Sequence, residues 1–271
     1  MKEKAFIFIL LTIFLLTLSG NNVLTPQVFA QNNHSPKDVP PRTVLVELFV
    51  QEGCLTCPTA EFCLEDLAWE YGTSKVILVE EHLWGDGYDT PETNARYNWY
   101  VGDSEKGTPD VFINGLTKRL QGLFCDCIEG NYECYKDIID EELTQPSLLE
   151  LTAVKTPREN KEGEFAGEKV LNIIIEGTVK NISDIPLKDL AVCGMIGKEG
   201  EESGLYNYIQ DIFPFQNIPT LLPGVTFSFK YVPEILLFPE SESNEEKETL
   251  HLVIFVQNTE TKEILQVLYV E

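Results

Sequence analysis

The stretch "VLVELFVQEGCLTCPTAEFCLEDLAWEYG", residues 44 to 72, carries more of the fold than any other part of the chain. Its first part, Val44 to Val50, is a strongly apolar run with the length of a buried strand. From Pro58 onward the apolar residues Ala60, Cys63, Leu64, Leu67, Ala68 and Tyr71 recur at helical spacing, and Gly72 is a natural stop. Cys54 and Cys57 stand where the strand hands over to the helix. The spacing of two cysteines with two residues between them suits a redox pair, half of a zinc site or a structural staple. Position favours the first. Backbone N–H groups and the dipole at a helix start stabilise a thiolate, which makes Cys54 the attacking nucleophile. Cys57, one turn inside, is placed to resolve a mixed disulfide, and Pro58 is tolerated in a first turn where its missing N–H is not needed.

Outward from this stretch, Val76 to Val79 reads as a second buried strand, and Thr90-Pro91 caps and starts a second helix running to about Tyr100. Asp110 to Ile113 and Thr117 to Gln121 read as strands joined by the Asn114-Gly115 turn. Tyr135, Ile138, Ile139 and Leu143 give a last helix. The order β-α-β-α-β-β-α implies a parallel pair that crosses over into an antiparallel hairpin, with helices on both faces. This α/β unit spans residues 42 to 145. After "TQPS" (144 to 147) the helical pattern stops. Short alternating runs follow, among them "LNIIIEGTVKNIS", "VTFSFKYV", "LHLVIFVQ" and "ILQVLYV", and predict an all-β, immunoglobulin-like sandwich over 147 to 271. The two units are expected to fold separately. The acidic run Glu240 to Glu248 reads as a solvated loop.

The amino-terminal residues bear on compartment. Lys2 and Lys4 precede an apolar run from Ala5 to Leu18, shorter than the ~20 residues a membrane span needs and suited to a signal-peptide core. Val28-Phe29-Ala30 offers a cleavage site, so residues 1 to 30 read as a signal peptide and 31 to 41 as a polar, proline-rich linker. Membrane contact is expected only through that segment, if uncleaved. The net charge of −24, from 44 acidic and 20 basic residues, argues against nucleic acid and anionic membrane surfaces as partners. An extracytoplasmic location lets disulfides persist, so the seven cysteines are read as an oxidised set with at least one thiol left over.

"VELFVQEGCLTCPTAE", "HLWGDGYDTPETNARYNWYV" and "GTPDVFING", with the order of elements around them, resemble the thioredoxin superfamily. Within it they look like secreted and outer-membrane bacterial thioredoxin-like proteins that carry a carboxy-terminal β-sandwich. The resemblance covers residues 42 to 145 well and the tail mainly through "LVIFVQNTETKEILQV". It implies a Cys54–Cys57 disulfide, a cis Pro109 facing the cysteines, and a substrate segment received by Gly107 and by the backbone of Thr108. It also implies an acid relaying protons to the resolving cysteine. Glu47 is the candidate, seven residues before Cys54, one further than the family places it; a solvated strand-edge carboxylate is the competing reading. Gly53 stands where thioredoxin carries a tryptophan, which bears on substrate range rather than fold.

Other residues read as structural. His82, Trp84, Asp89, Arg96 and Tyr97 belong to the matched middle segment, and packing of a loop outweighs a proton-donor or metal role for His82. His34 falls in the linker and His251 in a strand. Cys63, on the apolar stripe of the first helix, and Cys193, in "DLAVCGMIG", read as buried inert thiols. Cys134 is expected to bridge to Cys125 or to Cys127, and the leftover thiol could exchange with the Cys54–Cys57 pair. A zinc site from Cys54, Cys57, Cys125 and Cys127 is disfavoured by spacing and compartment, and no metal or cofactor is called for. The function implied is thiol–disulfide exchange with protein thiols and disulfides of the cell envelope. The competing readings are a binding module holding Cys54–Cys57 as a static bridge, and a metal carrier.

Overall fold

The computed structural model describes residues 40–123, 128–157, 169–198, 207–237 and 250–270. The expected signal segment (1 to 30), most of the linker, His34, Cys125, Cys127 and the acidic run from Glu240 lie outside these residues. Chain order begins with β1 (Val44–Val50), α1 (Cys57–Tyr71), β2 (Val76–His82), α2 (Pro91–Val101), β3 (Asp110–Ile113), β4 (Lys118–Gln121) and α3 (Ile128–Leu143). The strands β1 and β2 are parallel, β1 and β3 antiparallel, and β3 and β4 form the hairpin over Asn114-Gly115. Both turn residues take positive φ (51° and 76°), the backbone that an Asn-Gly pair adopts readily.

Alternation along β1 sorts its neighbours onto two faces. Val44, Val46, Leu48 and Val50 pack with Cys57, Ala60, Leu64 and Leu67 of α1 and with Tyr135 and Ile139 of α3. On the other face Phe49 packs with Tyr97, Tyr100 and Val101 of α2 and with Phe112. The capping box of Thr90 and Thr93 starts α2, and the Thr93 hydroxyl also donates to the His82 carbonyl at 2.8 Å, which fixes the helix to the end of β2.

The carboxy-terminal half is all β: β5 (Leu149–Pro157), β6 (Lys169–Asn181), β7 (Leu190–Lys198), β8 (Tyr208–Ile212), β9 (Gln216–Ile218), β10 (Thr226–Tyr231), β11 (Glu234–Leu237), β12 (Leu250–Asn258) and β13 (Ile264–Val270). It does not stand apart. Strand β8 pairs with β2, so one mixed sheet runs β13-β12-β7-β8-β2-β1-β3-β4, with β9 on β7. The smaller sheet of β5, β6, β10 and β11 packs on β7 and β12 to make the sandwich core, through Leu149, Ile175, Phe229, Val192 and Ile254.

The large sheet also curls back on itself. Strand β13 returns beside β1: Arg42 donates to the Ile264 carbonyl at 3.2 Å, the Thr43 N–H to Gln266 at 3.0 Å, and the Ile264 N–H to the Asn114 carbonyl at 3.0 Å. Leu45, Ile77 and Val79 therefore share a core with Met195, Ile209, Val253, Phe255 and Val267. Residues 36 to 271 form one compact unit. The expected boundary at 144 to 147 falls where element type changes, between α3 and β5, but not where packing stops. That departs from the expectation of two separately folding units, because an apolar strand face in each half is buried only by the other.

Candidate functional site

The loop between β1 and α1 carries the cysteine pair. Its turn is closed by the Cys54 N–H donating to the Gln51 carbonyl at 3.1 Å, and Gly53 supplies the positive φ (80°) that this bend needs. A tryptophan at that position would have to adopt a backbone that side chains with a Cβ rarely take. Cys54 and Cys57 form a disulfide. Cys54 is half-buried, whereas Cys57 is 2% exposed and belongs to the core under α1.

The start of α1 is unusual in a useful way. Thr56, at the N-cap, makes no side-chain capping bond, and no acidic residue lies in the first turn. The Cys57 N–H instead donates to Cys54 Sγ at 3.2 Å, and Thr56 Oγ1 lies 3.7 Å from the same sulfur. Sulfur therefore occupies the capping position. With the pair reduced, negative charge on Cys54 would receive an N–H bond and the positive end of the helix dipole, with no carboxylate in that turn to oppose it.

The Thr108–Pro109 peptide bond is cis. Pro109 immediately precedes β3, whose Asp110 pairs with Phe49, so it lies at the same end of the sheet as the cysteine loop. Its surroundings are tied from three sides. The Tyr97 hydroxyl lies 3.1 Å from both the N–H and the carbonyl of Gly107 and 2.8 Å from Asp110 Oδ2. Arg119 clasps Asp110 with two nitrogens, the closer at 2.7 Å, and the Gly122 N–H donates to the Pro109 carbonyl at 2.7 Å. Burial pushes the Asp110 carboxyl upward, opposed by Arg119 and Tyr97.

Glu47 is elsewhere. Strand alternation turns it away from Cys57, to the α2 face, so it is not placed as that cysteine's relay, and being fully buried it is not a solvated edge carboxylate either. It meets the Nε of Arg96 and, at 2.7 Å, the hydroxyl of Tyr100. Arg96 also donates to Tyr100 at 2.6 Å and to Gln257 of β12 at 3.3 Å, and its guanidinium lies over the Phe255 ring. Glu81 completes the group, its carboxyl 3.8 Å from Arg96 Nε with no hydrogen-bond partner on either oxygen. Burial first, then repulsion from Glu47, pushes the Glu81 pKa well above its ordinary value.

A second polar group lies on the α1 face, and sequence reasoning treated its centre as packing. His82, buried, places Nδ1 2.6 Å from Asp86 and Nε2 2.8 Å from Glu80. Asp86 in turn accepts from the Glu52 N–H at 3.2 Å and the Tyr88 N–H at 2.9 Å. Against the burial that pushes it down, the bonds to Glu80 and Asp86 raise the His82 pKa. On α1 itself, Glu61 is pushed up to about 7 and Glu65 to about 6, chiefly by burial and then by Glu80. The signal for this group was the polar "EEH" directly after an apolar strand run.

Of the other cysteines, Cys63 and Cys193 are buried thiols, the latter donating to the Phe213 carbonyl at 3.1 Å and pushed up to about 12 by burial. Cys134 is disulfide-bonded. Cys125 and Cys127 lie outside the described residues, and with them the choice of bridge, the relay thiol and half of the zinc set. Among the described residues no group of three or more His, Cys, Asp or Glu is arranged to hold a metal ion. Of the other residues from the matched segment, Asp89 accepts from Asn94 at 2.7 Å, and Trp84 packs edge-on to Tyr97.

No family model and no curated protein matches the sequence. Among solved structures, HBP35 of Porphyromonas gingivalis superposes with a TM-score of 0.59 at 16% identity, over 84% of this chain and 74% of that one. The shared fold therefore extends across both halves. A domain of the outer membrane lipoprotein Omp28 from the same organism matches 46% of this chain and 88% of that one at 16% identity (TM-score 0.27). Bacteroides uniformis beta-glucuronidase matches 43% of this chain and 12% of that one at 19% identity (TM-score 0.32).

Proposed function

We propose that this chain is an exported thiol–disulfide oxidoreductase whose residues 42 to 145 form a thioredoxin-like unit and whose carboxy-terminal half is an immunoglobulin-like sandwich. The observation that carries the reading is the asymmetry of the pair. Cys54 is reachable and capped by the helix start, while Cys57 is buried behind it. The strand order β2-β1-β3-β4 with helices on both faces, and the cis Thr108–Pro109 bond at the cysteine end of the sheet, support the fold part of the reading. The signal-like residues 1 to 30 support export, and amino-terminal sequencing of the mature protein should find Gln31 or a near neighbour. Met1 on membrane-bound protein would overturn that part.

The chemistry needs no cofactor. With the pair reduced, the Cys54 thiolate attacks one sulfur of a partner disulfide, forming a mixed disulfide and expelling the other sulfur as a thiolate. Cys57 then gives its proton to the thiolate expelled in the first step and attacks Cys54 Sγ, which re-forms the Cys54–Cys57 bond and releases the partner's second thiolate. Two electrons pass to the partner. Run backwards, the same steps oxidise a partner dithiol. The exposed Leu55 between the cysteines, and Gly107-Thr108 beside Pro109, are the surface a partner segment would meet.

Cys57→Ser should trap mixed disulfides with envelope proteins, because no resolving thiol remains, and Cys54→Ser should trap none. The pair should equilibrate with glutathione, at a potential above the roughly −300 mV typical of static bridges. If Cys57→Ser captures nothing and the native pair resists reduction below that value, the bridge is a staple and the enzyme reading fails.

A further inference from the structure

We propose that His82 is a positioning residue for the cysteine loop: as an imidazolium between Glu80 and Asp86 it fixes the carboxylate that holds the loop just before Cys54, so its protonation is read out as Cys54 reactivity. The proposal rests on the oxidoreductase reading. Its geometry is a continuous chain of hydrogen bonds. Glu80 and Asp86 present acceptor oxygens to both ring nitrogens at 2.8 and 2.6 Å, an arrangement satisfied when each nitrogen carries a proton. The Asp86 oxygen that accepts from the ring also accepts from the Glu52 N–H, two residues before Cys54. Its other oxygen accepts from Tyr88. From Glu52 the chain bends through Gly53 to Cys54, whose sulfur receives the Cys57 N–H.

The carboxylates facing His82 favour its charged form. From β2 comes Glu80, from the following loop Asp86, and from α1 Glu61, with Glu65 beside it. The rings of Tyr88 and Tyr208 pack at 5.3 and 6.3 Å, and Lys198 Nζ lies 6.0 Å from the Tyr208 ring. A histidine whose folded pKa is raised contributes fully below its ordinary value, and the contribution is lost as pH rises through the raised one. Glu61, pushed up to about 7, gains its negative charge as pH rises through that value. Rising pH therefore removes a positive charge and adds a negative one on the face that carries the cysteine helix. The first change loosens the hold on Asp86, and both disfavour a thiolate at Cys54.

The test compares wild type with His82→Gln, which can donate to only one carboxylate at a time, and with Asp86→Asn, which keeps an acceptor oxygen but loses the charge. The reduced proteins are alkylated with iodoacetamide across pH, with Cys54 labelling followed by mass spectrometry. At pH 6 His82→Gln should react roughly two- to fivefold more slowly than wild type and converge with it near pH 9, while Asp86→Asn, which no longer holds the imidazolium by charge, should flatten the pH profile. Superimposable profiles would overturn the proposal. A second readout needs no reduction: in the oxidised proteins, the loss of Tm caused by His82→Gln should be larger at pH 5.5 than at pH 9. A loss that is the same at both pH values would show His82 to be ordinary packing and overturn the proposal equally. Neither measurement uses a partner protein, so failure of the mixed-disulfide trap would sink the enzymatic reading without being mistaken for failure of this one.

Discussion

Arg96 is 6% exposed and makes no contact with the cysteine pair, yet it joins helix, sheet and tail through one guanidinium. Against its burial, Glu47 above all holds it protonated. Removing a buried ion-pair partner leaves the other charge uncompensated, so Arg96→Met should cost about 3–5 kcal/mol in chemical denaturation. A loss under about 1 kcal/mol would show that Glu47 is neutralised by some other means. Glu81 gives the opposite kind of prediction. Its folded pKa lies above the unfolded one, so its neutral form contributes in full below the ordinary carboxyl range, and stability declines as pH rises toward the raised value. Glu81→Gln keeps the shape and never ionises. It should match wild type in acid and exceed it in stability at pH 8 to 9, and parallel stability–pH curves would refute the assignment. Neither role was legible in the sequence. The glutamate inside "VLVELFV" reads there as a relay acid or a solvated edge carboxylate, because its partners Arg96 and Tyr100 lie far along the chain and no local pattern links them.

Elements were legible where their own residues decide them. Val76 to Val79 reads as a strand because it is wholly apolar, and the Asn114-Gly115 hairpin because few other pairs take positive φ twice. The strand β2 runs on through Glu80, Glu81 and His82, which local propensity would end, because Asp86 and Arg96 supply partners on opposite faces. The helix α3 begins before its periodic residues, at Ile128. Gly115 shows a second kind of hidden constraint. Besides its positive φ, a Cβ there would meet the Lys262 carbonyl oxygen at 2.0 Å, where the turn between β12 and β13 crosses the hairpin. Gly115→Ala should therefore destabilise by about 1–3 kcal/mol or more, beyond what an isolated hairpin turn would lose. A change within about 0.5 kcal/mol in denaturant would mean the crossing readily moves aside.

The whole molecule differs most from its sequence reading in how the halves relate. Composition changes at 144 to 147, and the runs that follow are strands, but pairing between β2 and β8 and the return of β13 to β1 depend on register between distant segments. No window of residues reports that. A fragment of residues 42 to 145 would expose Leu45, Ile77 and Val79, which in the whole chain are covered by β7, β12 and β13. It should aggregate or lack a cooperative thermal transition, and proteolytic nicking near 144 should leave the two pieces associated. Recovery of a stable, monomeric fragment with intact near-ultraviolet dichroism would restore two independent domains. The ring closed by β13 also has a meaning in time. Arg42 finds its acceptor at Ile264 across nearly the full described length, and such distant pairings are made slowly. While the chain is being synthesised, the Leu45 face of β1 lacks its cover from β13 until residues 264 to 270 have been made. A nascent chain should thus leave that apolar face bare until its synthesis is nearly complete.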